Sequence, residues 1–163
     1  RSAHAHYHLG LIFERDAKDA QSAHHFEKAR AERPEDFPAP VEISAAEFEA
    51  QLQKTLAALP DDMQRDLKGV PVVAEDLPAL ADLTAGEPVL SPTILGLFRG
   101  PPLGASCDGE GTPCRSVAVY RKNLARAVKT RDELDEQLRV TVLHEVGHLR
   151  GEDDSELAAR GLE

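Results

Sequence analysis

The sequence predicts an α+β chain that begins with a helical hairpin, and three observations carry that prediction. Apolar residues recur at helical spacing over residues 1–33 and again over 44–59. Three short β-branched segments are gathered between Val70 and Tyr120. One long helix near the end is apolar around most of its circumference, the mark of a central, buried helix. Helices and strands are segregated along the chain rather than alternating, as in α+β folds.

Composition bounds the function. With 163 residues there is room for one full core, or a compact domain with a small appendage. The chain is 41% hydrophobic and 29% charged, with no apolar run long enough to span a bilayer, so no membrane role is expected. A formal net charge of −10 opposes nucleic-acid binding, which needs a basic face. The chain opens at Arg1 with no charged-then-apolar leader, and reads as a processed chain or a fragment. Two cysteines, Cys107 and Cys114, are too few for a disulfide scaffold. A cytoplasmic protein is therefore expected, and the loop between the cysteines permits either a bridge or two thiols.

Residues 1–34 are predicted as a helical hairpin. Tyr7, Leu9, Leu11, Ile12 and Phe13 lie on its first helix; Ala23, Phe26, Ala29 and Ala31 lie on the second. Leu9-Gly10, Phe13, Ser22, Phe26, Ala29 and Pro34 resemble a tetratricopeptide repeat at the expected offsets, with His6 standing where that repeat carries an aromatic. One such repeat cannot bury its apolar face alone, so a protein partner or further packing is implied. His4, His6, His8 and the His24-His25 pair are read as solvated or packing residues. Residues 35–43, with Pro38 and Pro40, form a stiff linker, and residues 44–163 form the second domain.

That domain opens with a capping-box pair, Ser44 and Glu47, followed by Phe48, Leu52, Leu56 and Leu59 on one stripe. Pro60-Asp61-Asp62 restarts a short helix from Met63 to Leu67. Strands are predicted at Val70–Ala74, Thr93–Phe98 and Ser116–Tyr120. The last helix starts at Thr130, with Glu133 completing a second capping box, and ends at Gly151. Leu134, Leu138, Val142, Val146 and Leu149 share its main apolar face.

His144 and His148 sit on the stripe left over. At i and i+4 they lie one turn apart on one face, with Cβ atoms about 5–6 Å apart, so both imidazoles can converge on one ion. Glu145 lies about 100° around the helix from His144, beside such an ion rather than on it, where a general base for an activated water belongs. Gly147 offers room for a substrate or a neighbouring backbone. A third ligand must come from beyond His148 if the site is local, and that stretch holds no His or Cys. Its candidates are Glu152, Asp153, Asp154, Glu156 and Glu163.

From Val41 to Leu162 the sequence resembles the bacterial mini-zincins, zincin-like metallopeptidases of the HExxHxxGxxD type. The likeness rests on the helix Ser44–Leu59, on Val70-Pro71-Val72-Val73-Ala74-Glu75-Asp76, and on Ile94 to Gly100. It continues in Val117 to Arg121, in Val140 to His148 with its HExxH, and in Gly151 to Leu157. The resemblance implies a minimal fold, a small mixed sheet packed on the metal-bearing helix. It implies zinc held by His144, His148 and Asp154, with Glu145 as general base. Zincin substrates lie along an edge strand, so Val117, Ala118, Val119 and Tyr120 are the expected substrate rim, and Tyr120 is either an oxyanion donor or a packed strand residue. The expected function is peptide-bond hydrolysis on a peptide or protein substrate. The competing expectation is a non-catalytic protein-binding module that combines the repeat with a vestigial scaffold.

Overall fold

In the computed structural model, which describes residues 2–107 and 113–162, the chain forms two compact units, Arg1–Pro40 and Val41–Glu163. The division falls inside the predicted linker 35–43. In the first unit, α1 (Ser2–Arg15) and α2 (Asp19–Glu32) form an antiparallel hairpin. Small residues set how closely the helices cross. A Cβ on Gly10 would lie 2.6 Å from the Phe26 ring, and the buried Ser22 hydroxyl donates to the Gly10 carbonyl at 2.8 Å. His6 and His25 meet across the pair, Nδ1 to Nδ1, at 2.9 Å. Phe37 stacks on Tyr7 with centroids 4.8 Å apart, so the start of the linker packs onto the hairpin.

The second unit begins with an antechamber of helices. Ser44 caps α3 (Ala45–Ala57) with the expected reciprocal box: its hydroxyl accepts from the Glu47 N–H, and the Glu47 carboxylate accepts from the Ser44 N–H. α4 (Asp61–Asp66) follows, then β1 (Val72–Glu75), the short α5 (Leu80–Leu83), β2 (Gly96–Arg99) and β3 (Ser116–Tyr120). The first two strands start later than their apolar residues suggested. Val70 donates to the Leu67 carbonyl, closing the turn after α4, and Pro71 has no N–H to give a ladder. Before β2, the Asn123 amide grips the Pro92 and Ile94 carbonyls and holds that stretch as a turn.

The sheet order is β1-β3-β2, with β1 parallel and β2 antiparallel to β3. This corrects the expected substrate rim. Val117, Ala118, Val119 and Tyr120 form the central strand, are fully buried, and have both ladder edges taken. A strand covered on both faces carries an uncharged run, which Ser116–Tyr120 does. The edges belong to β1 and β2.

Two further helices complete the unit. α6 (Arg121–Ala127) leaves β3 directly and had no periodic signature. α7 (Arg131–Leu149) is the central helix, capped by Thr130, whose hydroxyl accepts from the Glu133 N–H. The Glu133 carboxylate reaches the Lys129 N–H, one residue earlier than a capping box requires. Leu134, Leu138, Val142 and Val146 pack with Phe48 and Leu52 of α3 and Val119 of β3 into the main core. After α7 comes α8 (Asp154–Ala159), a helix the sequence reading did not anticipate. Cys107 and Cys114 are joined as a disulfide. Among the described residues no helix is long and apolar enough to cross a membrane.

Candidate metal centre

The C-terminal half of α7 sets His144 and His148 one turn apart, with their Nε2 atoms 3.1 Å from each other. The helix then stops in a left-handed turn. Gly151 has φ +91°, and the N–H groups of Gly151 and Glu152 return to the carbonyls of His148 and Gly147, each at 2.9 Å. This reciprocal closure reverses the chain toward the histidines. Asp153 caps α8, its carboxylate accepting from the Glu156 N–H at 2.8 Å. Asp154, the first residue of α8, then faces the pair. Its Oδ1 is 3.1 Å from His148 Nε2 and 3.7 Å from His144 Nε2.

These three atoms fit a metal ion. Ligands about 2.0–2.2 Å from a tetrahedral zinc stand roughly 3.3 Å from one another, and the observed separations bracket that value. Among the described residues this is the only group of three or more metal-ligating side chains that converges so. The other imidazole nitrogens agree. His144 Nδ1 bonds the Leu162 carbonyl, and His148 Nδ1 bonds the Glu152 carbonyl at 3.0 Å. A carbonyl only accepts, so both Nδ1 atoms carry the proton and both Nε2 lone pairs point at the shared centre.

Glu145 lies beside the group, 6% exposed, on the side that faces β2. The backbone N–H of Phe98 on β2 favours its charged form. Gly96 makes this approach possible, since a Cβ there would lie 2.7 Å from Thr141 Cγ2 and 3.3 Å from Glu145 Cγ. Burial pushes the Glu145 pKa above its ordinary value, against the pull of His144, His148 and the Phe98 N–H. A carboxylate so placed holds a proton more readily than a solvated one, as a general base must.

The remaining candidate carboxylates have other work. Glu152 pairs with Arg160, and Asp153 caps α8. Glu156 is not in the converging group, and Glu163 lies outside the described residues. Gly147 makes room for a side chain rather than for substrate: a Cβ there would run into Leu157 of α8. Tyr120, once a candidate oxyanion donor, is fully buried with its hydroxyl unpaired inside the protein. The Glu152 and Leu162 carbonyls and Gly96 carried no signal in the sequence. Backbone groups have no residue signature. Leu157, a leucine following an acidic stretch after Gly151, was the one available hint of a docked segment.

A family model described as zincin-like metallopeptidase matches residues 67–162, more than half of the chain. No curated protein matches. The match runs from the end of α4 through the sheet and α7 to Leu162, whose carbonyl meets His144. It therefore takes in every side chain of the converging group together with the strand edge beside it. The chain belongs to the zincin-like metallopeptidases.

Proposed function

We propose that the chain is a zinc-dependent peptidase in which His144, His148 and Asp154 hold the metal and Glu145 is the general base. The convergence of two Nε2 atoms and one carboxylate oxygen within 3.1–3.7 Å carries this reading. Zinc bound there would supply a Lewis acid for a carbonyl oxygen and lower the pKa of a coordinated water. The protein's own residues do the rest. Glu145, buried beside the ligands, takes a proton from the attacking water and passes it to the leaving amine. Its side chain lies against Gly96 of β2, where a Cβ would stand 3.3 Å from Glu145 Cγ. That edge strand, Gly96–Arg99, is the proposed substrate rim, because an extended peptide can add to its unpaired side.

The test is metal analysis combined with cleavage of a panel of unfolded proteins. Wild type should retain one zinc and cleave, and Glu145→Gln should retain zinc while losing cleavage. Equal cleavage by both across the panel would sink the enzymatic reading and favour a binding scaffold. We further propose that α1–α2 is a tetratricopeptide-like repeat that engages a protein partner. Its close crossing at Gly10 and Ser22 and its exposed Leu9 and Ile12, three residues apart, support this.

A further inference from the structure

Three groups that meet the converging histidines come from one short stretch. Asp154 presents a carboxylate oxygen to both, the Glu152 carbonyl holds His148, and the Leu162 carbonyl holds His144. The ligand and both orienting groups therefore arrive together or not at all. We infer that residues Glu152–Leu162 form a clamp that sets metal affinity, and that the seating of Leu157 on Gly147 is its lock. This rests on the metal-centre reading above and adds what controls it.

The clamp is closed at three points. Gly151 reverses the chain at its root. Arg160 forms an ion pair with Glu152, tying the end of α8 back to the root. Gly161, at φ +75°, turns the chain again so that Leu162 N–H bonds the Leu157 carbonyl at 2.9 Å and the Leu162 carbonyl faces His144. α8 has six residues, too short to hold its shape unaided, so packing must fix it. Leu157 is its one buried residue, fully enclosed, and it occupies the space that a side chain at Gly147 would take. Gly147 lies on α7 between the two histidines' turns, so the lock and the ligands share one rigid helix. Leu157 and Gly147 are positioning residues. Neither belongs to the converging group of ligand atoms.

Competition for zinc against a chromophoric chelator, run on the full chain, tests this. Gly147→Ala should keep the far-ultraviolet helical signal, alanine being the better helix former, yet bind zinc 10- to 100-fold more weakly, the usual cost of losing orienting partners. Shortening the clashing side chain, in Gly147→Ala/Leu157→Val, should restore part of the lost affinity. Cobalt(II) substituted into Gly147→Ala should show a visible absorption spectrum altered from wild type, because the ligand set changes. Wild-type affinity in Gly147→Ala would overturn the clamp, and so would a loss that Leu157→Val leaves unrelieved. His148→Ala separates the two readings. If wild type binds no zinc, or His148→Ala binds it equally well, the metal centre itself fails. If His148→Ala loses zinc while Gly147→Ala does not, only the clamp fails.

Discussion

At the scale of single residues, Glu145 and Tyr120 show how burial changes what a group can do. Glu145 has a proposed catalytic role, and Glu145→Gln should lower peptide cleavage by roughly 10²–10⁴-fold, as loss of a general base does, with zinc content unchanged. Tyr120 has no such role. Burial, with further contributions from Glu75, Asp82 and Glu145 against Arg99, pushes its phenol up to about 12 from the ordinary 10.0. The raised folded-state value means its stabilising contribution is whole below pH 10 and is lost as pH climbs toward 12. In a Tyr7→Phe variant, which leaves Tyr120 the sole tyrosine, tyrosinate absorbance should rise near pH 12 in the folded protein. A rise complete by pH 10 would contradict the burial seen here. Gly96 is a third case, fixed by what surrounds it. Gly96→Ala should cost about 1–3 kcal/mol in urea unfolding, since the new methyl meets Thr141 and the Ala118 carbonyl.

At the scale of elements, local chemistry predicted the starts and stops of helices better than the pairing of strands. The Ser44–Glu47 box was legible because both partners lie within one turn. Ser44→Ala should accordingly cost about 1 kcal/mol, measurable by urea titration. The Gly151 stop was legible for the same reason: one residue supplies the left-handed conformation. Strand order is different. β2 precedes β3 in sequence and lies outside it, while β1 crosses over to pair with β3 from the other side. Nothing within Ser116–Tyr120 names its neighbours; its uncharged run suits the central place that the structure gives it, and Arg99 in β2 suits an edge. α6 and α8 escaped notice because seven and six residues are too few to display a period. The disulfide was equally undecidable, since seven positions of separation allow a bridge without requiring one. Denatured without reductant, the chain should show no free thiol to a maleimide.

At the scale of the molecule, the second unit holds the whole candidate site and a core of its own, built on Phe48, Leu52, Leu138 and Val142. A chain starting at Val41 should therefore unfold cooperatively and bind zinc with the affinity of the full chain, which calorimetry and chelator competition would check. The sequence alone determined the α+β class, the central helix, and the placing of His144, Glu145 and His148 at its C-terminal end. It could do so because helical spacing is a local rule: residues four apart share a face wherever the helix lies. Which carboxylate faces the histidines was narrowed by sequence to five and brought to Asp154 by resemblance. Only the tertiary structure decided why that residue arrives there, through the Gly151 turn and the seating of Leu157 on Gly147. It alone moved the proposed substrate rim from β3 to β2, and it alone supplied the Glu152 and Leu162 carbonyls that orient the imidazoles. Those are contacts between backbone groups and segments brought together by packing, and backbone groups are the same in every residue.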